Sequence, residues 1–193
     1  MQGIRLMAVL LISGMLISCA PKVQKTEGLV ASSGPCPEWF YSVPEDPDYL
    51  FAAVTATSRD LQMAVNKAKT EGRAEIARQI EVHIEGLTKK FDEEVGLGED
   101  ANLYSKFTQA SKLVVDQTLR GTKARYQDSK REGAVWRACV LMELPLIEAS
   151  RGLVDGITKD QEMYTRFRES QTFKELEEEI QKYREYKREQ ERY

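Results

Sequence analysis

The amino-acid sequence predicts an α+β domain, a small and mainly antiparallel sheet with helices packed on one face, followed by a charged C-terminal helix. Three observations carry this. The hydrophobic period switches repeatedly between about two and about 3.6 residues. The segments follow the order strand, helix, strand, helix, strand, strand, helix, which places helices against one antiparallel sheet. A Gly-containing turn at Arg131-Glu132-Gly133 joins the last two strand patterns into a hairpin.

Tyr49 to Thr57 (YLFAAVTAT) reads as the first strand from its aromatic and β-branched content. Its small residues Ala52, Ala53 and Ala56 let a helix approach closely. That helix follows at once, capped by Ser58, with Leu61, Ala64, Val65, Ala68, Gly72, Ile76 and Ile80 on one face. Val82 and Ile84, and with them Leu87, alternate with His83 and Glu85 and predict a half-buried strand. After a loop over residues 95–100, Leu103, Phe107, Ala110, Val114 and Thr118 define a second amphipathic helix ended by Gly121. Residues 122–130 and 134–144 form the hairpin, with Trp136, Ala138, Val140 and Met142 on one face and Arg137, Cys139, Leu141 and Glu143 on the other. Leu146, Ile147, Leu153, Val154 and Ile157 mark a third helix.

The tail, residues 160–193, differs in character. Phe173, Leu176, Ile180 and Tyr183 are spaced like a coiled-coil seam, but for only about a heptad and a half where three or four are wanted. The expectation is a solvated single helix supported by i,i+4 Glu–Lys and Glu–Arg pairs, separable from the domain, with self-association through this helix as the other reading.

The start of the chain carries a different signal. Arg5 precedes an apolar run from Leu6 to Ile17, too short for the roughly 20 residues of a membrane span. Leu16-Ile17-Ser18-Cys19 then places a cysteine just after small residues, the pattern of a bacterial lipoprotein signal. Four regions follow: a signal peptide over residues 1–18, the lipidated Cys19 with a flexible tether over 19–35, an α+β domain over 36–159 and the helical tail. The tether residues 20–35 reach roughly 50 Å when extended. Ala20 after the cysteine points to the outer membrane under enteric-type sorting. Acyl chains would hold the protein there at roughly 0.8 kcal/mol per buried CH2.

Composition narrows the partners. The chain has 28 Lys+Arg against 31 Asp+Glu and a formal net charge of −3, so it offers no basic footprint for nucleic acid. Cys36 and Cys139 remain besides Cys19. An exported chain permits a disulfide between them, and two buried free thiols are the alternative.

No catalytic constellation is visible. The single histidine, His83, is expected to face solvent from a strand, and without a second histidine or clustered cysteines there is no zinc ligand set. The chain has no Gly-x-Ser-x-Gly elbow and no phosphate-binding loop, and the acidic stretch Asp92 to Asp100 lacks the order of a calcium loop. No metal or cofactor is expected. Trp39, Phe40, Tyr41, Tyr49 and Phe51 are read as core, with a ligand groove as the alternative. Tyr183, Tyr186 and Tyr193 are candidates for contact with another protein or with peptidoglycan.

Taken together, the lipobox cysteine, the polar tether, Pro37-Glu38-Trp39, the small-residue strand and the Ala-spaced helix (Ala64, Ala68, Ala74, Ala77) ending in Ile80-Glu81-Val82-His83-Ile84 resemble the LPP-twenty bacterial lipoprotein family. A similar domain stands at the N-terminus of the flagellar assembly protein T. The resemblance covers roughly residues 36–145, and Ala53 and Thr55 stand where the family often carries glycine. It implies an outer-membrane lipoprotein without enzymatic activity and assigns no functional residue beyond Cys19. The expected function is a lipid-tethered structural or protein-interaction module. A periplasmic carrier of a small apolar ligand, in a cavity lined by Trp39, Phe51 and Trp136, or a flagellar or envelope assembly accessory, are the alternatives.

Overall fold

In the computed structural model, which describes residues 34–190 and 192, three antiparallel strands run in the order β1-β3-β2: β1 Tyr49–Ser58, β2 Lys123–Glu132 and β3 Val135–Pro145. The last is the central strand because it is apolar on both faces, whereas β2 is exposed along most of its length and carries charges that suit a sheet edge. Gly133 turns the β2–β3 hairpin with φ +60°, a conformation that costs glycine nothing. The α+β class is therefore observed as expected, with a sheet that is wholly antiparallel.

The described residues form six α-helices: α1 Glu38–Tyr41, α2 Leu61–Val95, α3 Ala101–Thr118, α4 Ile147–Lys159, α5 Gln161–Phe167 and α6 Gln171–Gln190. The longest, α2, lies against the face of the sheet that carries Leu50, Ala52, Val54, Ala138, Val140, Met142 and Leu144. The approach is close because Gly72 has no side chain. A Cβ there would meet Val54 Cγ2 at 3.1 Å and run into Met142.

Two sequence expectations are corrected along α2. Its N-cap is Asp60 rather than Ser58. The Asp60 carboxylate accepts from the Met63 N–H at 2.8 Å, and Ser58 is the last residue of β1. More consequentially, the expected strand around Val82, Ile84 and Leu87 does not form, because the helix runs on unbroken to Val95. Ile80, Ile84, Leu87 and Phe91 continue the buried stripe at steps of four, three and four, while Val82 points outward, 69% exposed. The alternation of Val82 and Ile84 imitates a strand over three residues only. Helix α2 ends where Gly96 adopts φ +65° and returns its N–H to the Asp92 carbonyl.

The tail is also corrected. It is not a solvated helix separable from the domain but packs on α4 and α2. Asp160 caps α5 by accepting from the Glu162 and Met163 N–H groups. Phe167 completes a three-ring cluster, its centroid 4.6 Å from Phe91 and 5.6 Å from Phe107, which lie 5.8 Å from each other. Phe173, Leu176 and Ile180 of the expected seam are buried in the chain's own core, and its fourth residue, Tyr183, is half-buried. A short apolar seam suffices here because its partner helices are already fixed by the same chain. The Glu94 carboxylate, near the end of α2, holds the start of α6. It accepts from Thr172 N–H at 3.1 Å and Thr172 Oγ1 at 2.6 Å.

Candidate functional site

Cys19, the expected lipid attachment point, lies outside the described residues, as does Tyr193. The other two cysteines are joined. Cys36 and Cys139 form a disulfide with Cα atoms 5.8 Å apart, linking residues 103 apart in sequence. Cys139 sits midway along β3, paired with Thr55 of β1 and Asp128 of β2, on the face opposite α2. The bond thus fastens the segment before α1 to the middle of the sheet. Tyr41 hydroxyl accepts from the Cys36 N–H at 3.3 Å, and Trp39 lies 5.7 Å from the Tyr126 ring. Leu141, fully buried although it faces away from α2, shows that this side of the sheet is partly covered.

The five N-terminal aromatics do not converge on one groove. Trp39, Phe40 and Tyr41 stay with α1, whereas Tyr49 and Phe51 stack on each other at 5.9 Å along β1. Arg125 lies over Phe51 at 5.7 Å and pairs with Glu143 at 3.1 Å. Trp136, at the far end of β3, is capped by Arg131 at 5.9 Å. None of Trp39, Phe51 and Trp136 lines any of the three clefts described among these residues.

His83 is not a solvent-facing strand residue. It is half-buried on α2, and its Nε2 lies 3.2 Å from Ser150 Oγ in the first turns of α4. Burial, and secondarily the Lys90 charge, push its pKa below the ordinary histidine value. Ser150 is 3% exposed, so the pair is a link between helices with no path for a substrate to the hydroxyl. A histidine whose folded pKa lies below its unfolded value of about 6.5 keeps its full stabilising effect above that pH, and loses it as pH falls through and below about 6.5. Stability is expected to decline from pH 7 to pH 5 in wild type. In His83→Gln, which keeps a polar group beside Ser150, this part of the slope disappears. Since the chain has one histidine, its ring resonances read the depressed pKa directly; a titration at or above 6.5 contradicts the assignment.

Two clefts stand out. The larger, about 770 Å³, is an open groove between the second half of α2 and α3. Ile84, Leu97, Phe107 and Val115 give it an apolar floor, and the Ser111 hydroxyl is enclosed there without a hydrogen-bond partner among the described residues. Four carboxylates (Glu81, Glu85, Asp92 and Asp116) against the amines of Lys89 and Lys112 make the rim acidic, which favours cationic over anionic contacts.

The second, about 490 Å³, lies where the ends of the strands meet α3, α4 and α6. Glu148 there faces two cations at once, Arg151 at 2.7 Å and Lys187 at 3.2 Å. Lys187 also sits over the Tyr183 ring at 4.9 Å, and its hydrogen bond to Tyr183, then that to Glu148, raises its pKa. Tyr49 borders the same cleft. Burial, and next the nearby Tyr183, keep its phenol protonated beyond the ordinary range. Of the tail tyrosines, Tyr183 therefore faces this cleft, while Tyr186 is 58% exposed.

Sequence reasoning missed the roles of Glu94, Phe167 and Ser150 and both clefts as sites, although it had singled out Tyr49 and Tyr183, which line the second. The steps of four, three and four from Ile80 to Phe91 were the available signal for the long helix, and through it for the groove. Among the described residues, no group of three or more His, Cys, Asp or Glu side chains could hold a metal ion, and no helix is long and apolar enough to cross a membrane. Compared with known proteins, the chain matches no family model, no curated protein and no solved structure.

Proposed function

We propose that the chain is a non-catalytic lipoprotein of the bacterial outer membrane, anchored through acylated Cys19 and acting as a tethered module for contacts with envelope proteins or peptidoglycan. The observation that carries this reading is the Cys36–Cys139 disulfide. Disulfides persist in oxidising compartments and are rare where glutathione keeps thiols reduced. The bond is therefore a signal of export independent of the leader-like residues 1–18, and the two agree. Tethering contributes to function by confinement. A domain held at a membrane surface meets partners there at a high effective concentration, so weak contacts become effective.

The resemblance to the LPP-twenty family favours the same reading and adds a role in flagellar or envelope assembly as its narrower form. The carrier of an apolar ligand has less support, because Trp39, Phe51 and Trp136 are occupied by Tyr126, Tyr49 and Arg131 rather than lining a shared cavity. The test is metabolic labelling of cells with palmitate. Wild-type protein is expected to incorporate label, and Cys19→Ser to lose it and remain unprocessed or unanchored. Undiminished labelling of the Cys19→Ser protein refutes the anchor.

A further inference from the structure

We propose that the cleft between the strand ends, α4 and α6 is a binding site for a small zwitterion, an amino acid or short peptide carrying both a free ammonium and a free carboxylate. The cleft's own charges point to this. Glu143 is neutralised from outside by Arg125, and Glu148 is shared by Arg151 and Lys187. Two charges of opposite sign make no ion pair among the described residues, Lys123 at the start of β2, opposite Glu143 in the β2–β3 ladder, and Asp155 on α4, and both line the cleft. A lone cation and a lone anion bordering one concavity are complementary to a ligand that brings one of each. Two cations on a single carboxylate, at Glu148, add a local surplus of donors for the ligand's carboxylate.

Size and chemistry agree with the charges. About 490 Å³ lies within the range of small-molecule sites, and the phenols of Tyr49 and Tyr183 supply neutral hydrogen-bonding groups and apolar ring faces beside the charged ones. Gly152 lets α4 approach α3 closely at the cleft wall, since a Cβ there would meet Val114 Cγ1 at 3.2 Å. The site is assembled from every strand together with α3, α4 and α6, so it exists only when the tail is docked. That gives the docked tail a purpose beyond filling the core, and it goes beyond the role of tethered module. The same chemistry is offered by ordinary peptides of L-residues and by wall-type peptides of D-residues.

The experiment is calorimetric titration of the full chain, purified in detergent, with L-alanyl-L-alanine and with D-alanyl-D-alanine. The N-acetylated and C-amidated forms of each dipeptide serve as controls lacking one charge. One dipeptide at least is expected to bind, and the stereochemistry preferred identifies the source. Removing either ligand charge is expected to weaken binding tenfold or more. Lys123→Gln and Asp155→Asn lie at exposed positions, so the variants are expected to melt like wild type and each to weaken binding tenfold or more. Lack of heat with both dipeptides overturns the proposal. So does equal affinity for the capped forms, or binding unchanged in both variants.

Discussion

Phe167→Ala is expected to lower the unfolding free energy by about 3–5 kcal/mol, the range for truncating a buried phenylalanine. The ring packs against both Phe91 and Phe107, which also touch each other, so its removal leaves a cavity beside two aromatic rings already held in mutual contact. Truncation after Lys159 is expected to do more. It deletes Met163, Phe167, Phe173, Leu176 and Ile180, all buried. At about 1.5–3 kcal/mol per large apolar side chain, the loss is on the order of the whole stability of a domain. The truncated chain is expected to show no cooperative thermal transition, and a sharp melt near the wild-type temperature would show that the tail is dispensable. The reach of the tail from the end of α2, where Glu94 holds Thr172, to Glu148 at the start of α4, where Lys187 pairs, makes it a brace along the helical layer.

The second large effect concerns the disulfide. Cross-linking residues 103 apart removes loop entropy from the unfolded chain, worth about 4.7 kcal/mol in the chain-entropy treatment of a loop this long. Replacing both cysteines by alanine is expected to cost most of that. At roughly 2–4 °C per kcal/mol for a chain of this size, the melting temperature falls by about 10–15 °C. Reductant added to wild type is expected to reproduce the shift, and to leave the double variant unchanged. Equal melting of all three samples contradicts the bond's role. Because Cys139 is on the central strand, the effect is expected to spread to the whole sheet rather than to free α1 alone.

The legible parts of the fold were those where period and punctuation agree. Helix α3 keeps the expected stripe from Leu103 to Thr118, although it ends at Thr118 in a 3-10 turn over Leu119–Gly121 rather than at a Gly121 cap, and the hairpin has Gly133 at its turn. The second half of α2 was illegible locally because Val82-His83-Ile84 satisfies a two-residue period as well as a helical one. Only the longer stripe through Phe91 separates them. The tail misled because its solvent face is so charged that four apolar residues looked insufficient. What they pack against, α4 and α2, is a tertiary fact. Cys36 and Cys139 could be named as partners, but their meeting depends on register across β3. The cleft holding Lys123 and Asp155 was invisible because it draws its charges from segments distant in sequence.

Intact-mass and non-reducing peptide mass spectrometry of the protein isolated from its native envelope tests the central claim most directly. The account predicts a mature chain beginning at Cys19 with a diacylglycerol thioether, and a peptide pair joined through Cys36 and Cys139. A chain that still begins at Met1, bears no lipid and carries both thiols free would contradict it.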